Sequence, residues 1–289
     1  MKIPDVQFNS KTSEPSGIEI FELDQLYKRQ PSLSHDPASP HRVEFNCLLY
    51  ISAGKGKHFI DFNDHPIKTG SFIFIQKHQV QAFDFSNCPQ GIIILFTDEF
   101  FNDLQTKIRL PFLIPNNLTS LYDPVINVKN QLKASCEVLL REISIEQDNA
   151  NSDPLLMRLL FTTLFFKVMK EIPQSQSRHL SNSRSKKFQN FIHFVENTAI
   201  TSREASDYAS LLNITYKSLN EICKLASNKT AKQLIDLETI LKAKRKLAVE
   251  EIQVQTLAYE LGFDEVTNFV KYFKRHTTLT PSQFKQSIK

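Results

Sequence analysis

Two groups of polar side chains near the C-terminal end of this 289-residue chain have the types and spacing to read a nucleic-acid groove. Lys217, Asn220, Glu221 and Lys224 fall at three- and four-residue steps, so a helix would carry them on one face. Val266, Thr267 and Lys271, with Glu265 and Asn268 alongside, form a second group. Asn can bond adenine through two hydrogen bonds, and Lys can meet guanine. Glu can accept from cytosine N4, and a Val methyl can touch the thymine methyl. Thr215, Lys229, Lys232, Lys274 and Arg275 lie beside these groups and suit phosphate oxygens, Thr215 as the N-cap of the first reading helix. Any one lysine of such a set is equally an ordinary solvated surface charge.

The elements that must position these residues are written in the flanking sequence. Leu257 to Arg275 reads as a short helix, a tight turn at Gly262 and a second helix. Ala258 is small where two helices approach closely, and Leu261 and Phe263 point into a core. Gly262 can take a positive φ, and Asp264 is placed to cap the following helix. Phe269 and Phe273, four apart, bury one face of it. The stretch Ala205 to Lys224 repeats the pattern, with Ala209 for Ala258, Leu212 for Leu261, Asn213 for Gly262, and Leu219 and Cys223 for the two phenylalanines. Thr230 to Val249 is a continuous helical pattern between the copies. Thr230-Ala231-Lys232-Gln233 opens it as a capping box; Thr201 to Glu204 and Thr280 to Gln283 show the same box, the latter with Pro281 at the first helical position. A buried first helix followed by a polar second helix describes a helix-turn-helix that enters the major groove.

These residues, from about Lys186 to Ser287, resemble the C-terminal DNA-binding domain of the AraC/XylS family of transcription regulators. The match is most specific in Ala258, Leu261-Gly262-Phe263, Phe269, Phe273-Lys274 and Pro281. Three positions depart from the family pattern. Asn228 and Thr278 stand where the family has glycine after each recognition helix, and Lys285 stands where it often has Arg. Threonine holds a left-handed backbone poorly, so the turn before Leu279 is expected to be strained or differently shaped. The resemblance implies a sequence-specific regulator of transcription, an activator, with double-stranded DNA and RNA polymerase as partners. It also implies a homodimer and an N-terminal domain for a small-molecule effector.

Charge agrees with the division of labour. Residues 184–289 hold 17 Lys+Arg against 11 Asp+Glu, whereas the first 183 residues hold 18 against 20. The basic excess is confined to the part that would meet phosphates. Length predicts two domains. The expected layout is residues 1–172 as a sensor or dimerisation domain, 173–185 as linker and 186–289 as the double helix-turn-helix domain. Pro173 to Arg184 is rich in Ser, Gln and Arg, which suits a linker. Met1 to Thr12 has no apolar signal-peptide core, and Leu159 to Phe166 is too short to span a bilayer. Cys47, Cys88, Cys136 and Cys223 are scattered, as reduced thiols of a cytoplasmic protein would be.

In the N-terminal part, Met1 to Ser16 reads as loose and Gly17 to Glu22 as a first strand. Further strand-like runs follow at Val43 to Ser52, Lys57 to Phe62, Ser71 to Gln76, Gln81 to Phe85 and Gly91 to Thr97. Turn chemistry separates them, including Phe62-Asn63-Asp64-His65-Pro66. Short strands at this spacing predict a β-sandwich or small barrel. Their order resembles the cupin-like jelly-roll sensor domain of AraC-type regulators. The fold class expected for the whole chain is therefore α+β. Strands would occupy about residues 17–97 and helices about 125–172, and an all-α domain would follow.

Val125 to Glu146 and Pro154 to Ile172 read as helices. Their expected apolar stripes are Val128, Leu132, Cys136, Leu139 and Ile143, and Leu155, Leu159, Thr162, Phe166 and Met169. Packing on the barrel and pairing with a second copy both account for them. No two of His35, His41, His58, His65 and His78 are two apart, so the His-x-His pair of metal cupins is missing and no metal, cofactor or catalytic residue is expected. By strand alternation Phe45, Cys47, Leu49 and Ile51 point one way, with Phe72, Phe74 and Phe83 opposite; these line either a filled core or an effector pocket. His41 and His78, with Arg42 and Lys57, would orient a polar effector or serve as surface residues. A metal enzyme tethered to DNA, and a DNA-binding protein that ignores ligands, remain as alternatives.

Overall fold

Short strands in the first half of the chain form two sheets that share a core. The computed structural model describes residues 3–8, 17–30, 33, 35–107, 123–171, 181–196 and 202–288. The chain divides into two compact units, Pro4–Ile114 with Tyr122–Pro173, and a second made chiefly of Gln174–Lys289. The first unit contains β1 (Asp5–Val6), β2 (Ile18–Glu22), α1 (Leu23–Arg29), β3 (His41–Val43), β4 (Asn46–Ala53), β5 (Lys55–Ile60) and β6 (Asn63–Lys68). It continues with β7 (Ser71–Ile75), β8 (Val80–Phe83), β9 (Gln90–Phe96), α2 (Asp98–Lys107), β10 (Val125–Asn127), α3 (Asn130–Asp148) and α4 (Pro154–Met169). One sheet has the order β1-β3-β8-β5-β6 and the other β10-β7-β4-β9-β2. Only the β1–β3 pairing is parallel among those described.

The strand β4 sets the layering. Cys47, Leu49 and Ile51 join Val43, Ile60, Ile73 and Ile93 in a core that includes residues of both sheets. Leu48 and Tyr50 point the other way, into a second core with Ile94, Phe96, Phe161 and Phe165 that α3 and α4 cover. Three polar bonds fix α3. The Tyr50 hydroxyl donates to Glu137 at 2.6 Å. The Gln147 amide both accepts from Ile20 N and donates to Ile20 O, which closes the exposed edge of β2 as a further strand would.

The α+β architecture is as expected, with local corrections. Phe72 lies opposite Tyr50 and Ile73 opposite Leu49 in the β4–β7 ladder, so Phe72 belongs to the helix-facing core. Phe74 packs there too, against Phe165. Phe62 to Pro66, read as turn chemistry, runs into β6 (Asn63–Lys68), an edge strand on which Pro66 removes no needed ladder bond. Val125–Asn127 is a strand paired with β7, and the helix starts only at Asn130. Asp5–Val6 pairs with β3 where a loose N-terminus was expected. The short helices α1 and α2 had no sequence prediction. On α4 the buried face is Met157, Phe161, Leu164, Phe165 and Val168, while Leu155 and Leu159 are exposed.

The second unit is all helical: α5 (Asn182–Glu196), α6 (Ala205–Leu211), α7 (Tyr216–Ser227), α8 (Ala231–Val249), α9 (Val254–Glu260), α10 (Val266–Thr277) and α11 (Pro281–Ser287). Arg184, assigned to the linker from sequence, is inside α5. Residues 172–180, most of that linker, lie outside the described residues. None of the described helices is long and apolar enough to cross a membrane.

Candidate nucleic-acid interface

The two helix-turn-helix copies share their hydrogen bonds as well as their sequence pattern. In the first turn, Leu212 N donates to Tyr208 O, Asn213 N to Ser210 O and Ile214 N to Ala209 O, at 3.0–3.1 Å. In the second, Leu261 N donates to Leu257 O, Gly262 N to Tyr259 O and Phe263 N to Ala258 O, at the same distances. Asn213 has φ 51° and Gly262 φ 75°, so both occupy the left-handed region that the tight exit needs. Ala209 and Ala258 are buried, and the small side chain lets α6 and α9 approach their partner helices.

Past each recognition helix the parallel continues. Asn228 and Thr278 are both left-handed C-caps, at φ 57° and 67°. Thr278 thus adopts the backbone of the glycine it replaces; the turn keeps its shape and a β-branched residue carries the strain. Thr230 with Gln233 and Thr280 with Gln283 close complete capping boxes at the starts of α8 and α11. Leu219 and Cys223 bury the back of α7, and Phe269 and Phe273 the back of α10.

Two expected caps are absent. The second turn is longer, so Glu265 and not Asp264 occupies the N-cap of α10, and it makes no side-chain cap bond. Helix α6 starts at Ala205, which puts Glu204 at the N-cap and not at the third position of a box. Thr201 lies outside the described residues. Ser202 Oγ accepts from Glu204 N instead.

The candidate readers separate into open and engaged groups. Lys217 and Lys224 on α7, and Thr267, Asn268 and Lys271 on α10, are exposed; Val266 is half-buried. Glu265 is exposed and accepts from the Thr267 hydroxyl at 3.2 Å. Glu221 is exposed but pairs with Arg184 of α5 at 3.2 Å. Asn220 is committed elsewhere: its Oδ1 accepts from Ala231 N at 3.0 Å and so caps the linker helix. Among the phosphate candidates, Thr215 caps α7 through Ser218 N, Lys229 is half-buried, and Lys274 and Arg275 are exposed. Lys232 does not face outward. Its Nζ donates to Arg203 O at 2.9 Å and pairs with Asp236 at 3.1 Å.

Helix α8 holds α5 on one side and α10 on another. Lys242 Nζ donates to Val195 O of α5, and Glu196 faces Glu238, Lys242 and Arg245. Burial beside Glu238 pushes the Glu196 carboxyl up to about 10, and burial lowers Lys242. Asp236, on the other side, accepts from the Tyr272 hydroxyl of α10 at 2.9 Å. Six residues along a helix turn it by about 240°, which separates Lys242 from Asp236 around the axis. Lys246 pairs with Glu260, so α9 anchors near the C-terminal end of α8 and α10 returns alongside its second turn.

Sequence reasoning missed Arg203, whose guanidinium lies 3.7 Å from the Phe263 ring centre. A groove of about 350 Å³ beside it is lined by Arg203, Phe263, Asn268, Lys271, Tyr272 and Arg275. No local pattern marks Arg203, because its partner is far along the chain.

Residues 208–287 match a family described as a helix-turn-helix domain. That domain is of the type found in AraC/XylS transcription regulators. The chain is thus a DNA-binding transcription regulator, in which the paired motifs are the AraC/XylS DNA-binding domain. The chain is 20% identical over 261 residues to the HTH-type transcriptional activator RhaS of Escherichia coli, covering 89% of this chain and 91% of RhaS. Among solved structures, ToxT from Vibrio cholerae O395 bound to (E)-4-(8-methylnaphthalen-1-yl)but-3-enoic acid is 17% identical, covers 94% of this chain and 98% of its own, and has a TM-score of 0.44. The C-terminal domain of the response regulator yesN from Fusobacterium nucleatum is 23% identical over 36% of this chain and 99% of its own, with a TM-score of 0.32.

The residues proposed from sequence to line an effector pocket do not converge. Phe45, Cys47 and Leu49 face the inter-sheet core with Phe83 at its margin, whereas Phe72 and Phe74 face α4. His78 is exposed and bonds Glu44 at 3.1 Å. Arg42 is held by Asp5 and Lys57 by Asp64. His41 alone joins a buried polar seam with His58, Gln81, Gln79 and Asp61. His58 Nε2 bonds Gln81 Oε1 at 2.9 Å, and the Gln79 amide donates to Asp61 at 2.7 Å.

Proposed function

We propose that the protein is a cytoplasmic transcription activator that reads two successive major-groove segments of one duplex with α7 and α10. The observation that carries this reading is the repeated geometry. Two motifs with matching turn and C-cap bonds present polar outer faces and are joined by one 19-residue helix. Lys217 and Lys224 serve the first segment, and Thr267, Asn268 and Lys271 the second. Lys274, Arg275 and Lys229 hold phosphates. The similarity to RhaS, named as an activator, supports activation; RNA polymerase is the partner this reading requires.

The N-terminal unit supplies dimerisation and effector sensing, with no catalytic step of its own. Val138 and Ile145 on α3 and Leu155, Leu156 and Leu159 on α4 are exposed apolar side chains, and a second copy would cover them. A small polar effector would be read against the His41–His58 seam. The test is selection from random duplexes with the full chain at moderate salt. A recovered site with two conserved blocks about 10 base pairs apart supports the reading, and recovery of no enriched sequence refutes it.

A further inference from the structure

A continuous chain of directional contacts runs from the arm ahead of the first motif, across the linker helix, to the second recognition helix. It joins that arm to the turn and the recognition helix of the second motif. Arg203 belongs to the arm before α6. Its guanidinium stacks on Phe263, 3.7 Å from the ring centre, and its Nη2 donates to Gly262 O at 3.3 Å. Gly262 and Phe263 form the turn of the second motif. The carbonyl of the same Arg203 accepts from Lys232 Nζ on the first turn of α8. Lys232 pairs with Asp236 one turn later, and Asp236 accepts from the Tyr272 hydroxyl of α10. His276 Nε2, also on α10, lies 4.0 Å from the other Asp236 oxygen. Asp236 is 8% exposed, so these bonds act where water competes little.

Apolar packing alone would hold α10 on α8 but would let it slide or rotate, since it has no preferred direction. Buried hydrogen bonds and an ion pair select one angle and one register. The stacked guanidinium adds a planar contact with its own orientation. We propose that Arg203, Asp236 and Tyr272 are positioning residues that lock the two recognition helices at one relative angle, so that the protein accepts only one spacing between the two blocks of its DNA site. This rests on the two-block reading above. It adds that spacing specificity resides in a network that touches no base.

The experiment measures affinity of the full chain for its selected duplex and for duplexes with one base pair inserted or deleted between the blocks. One base pair rotates the second block by about 35°. The wild-type chain should lose about tenfold or more in affinity at either altered spacing. Tyr272→Phe removes only the hydroxyl, and Arg203→Ala removes the stack. Each should flatten this profile to within about threefold across the three spacings. Retention of the wild-type optimum by both variants overturns the proposal. So does an equal loss at every spacing with a lowered melting temperature, which marks a merely structural role. A wild-type chain that ignores spacing overturns the two-block reading as well, and the wild-type arm alone distinguishes that failure.

Discussion

Asn220 and Lys271 both lie on recognition helices, yet the structure assigns them different work. Asn220 spends its carbonyl on the first amide of α8, whereas the Lys271 side chain is exposed beside the Arg203 groove. Asn220→Ala should therefore destabilise the domain by about 1 kcal/mol, the usual worth of a lost cap, and leave base preference unchanged. Lys271→Ala should leave the melting temperature alone, weaken DNA binding and lower the salt dependence by about one ion. Thermal melts and salt-titrated binding on the two variants separate these outcomes. A second residue-scale prediction concerns the buried imidazoles. Desolvation lowers His41 and His58 from the ordinary 6.5 to about 4. In the unfolded chain they take up protons near 6.5, so below that pH the unfolded state binds more protons. Stability is then intact above pH 6.5 and falls as pH drops toward 4, by up to about 1.4 kcal/mol per pH unit for each imidazole. Urea unfolding between pH 7 and 4 should show this slope, and His58→Gln should make it shallower.

At the scale of elements, what was legible in the sequence was local. The capping boxes at Thr230 and Thr280, the left-handed Asn213 and Gly262, and the buried Phe269–Phe273 pair all depend on neighbours within one or two turns. Features set by distant partners were not legible. Strand β6 looks like a turn until β5 pairs with it, and Phe72 looks like an inward residue until its register with Tyr50 is known. Leu155 and Leu159 have helical spacing but fall on the uncovered side of α4, because spacing does not say which face meets the sheet. In the reading domain, Lys232 and Asn220 carry the right chemistry but are consumed by Asp236, Arg203 and Ala231. Thr278 gives the element-scale prediction. A threonine at φ 67° is strained where glycine is not. Thr278→Gly should stabilise the full chain by about 1 kcal/mol, read as a higher urea midpoint with unchanged slope. An unchanged or lowered midpoint would show that the left-handed threonine carries no strain.

At the scale of the whole molecule, the two units have separate tasks and separate chemistry. The N-terminal unit places its polar seam in the interior and leaves apolar side chains of α3 and α4 exposed. The C-terminal unit buries Leu219, Cys223, Phe269 and Phe273 behind two polar helices and carries the basic excess of the chain. If α3 and α4 pair with a second copy, Leu155→Glu with Leu159→Glu should yield a monomer by light scattering. The monomer should still bind a single site, but without the added affinity at tandem sites. The most direct test of the central claim is hydroxyl-radical footprinting of the full chain on its selected duplex. The account predicts two protected stretches on one face, about one helical turn apart, with Lys271→Ala erasing one and Lys217→Ala with Lys224→Ala erasing the other. A single protected stretch that disappears with either set of substitutions would contradict it.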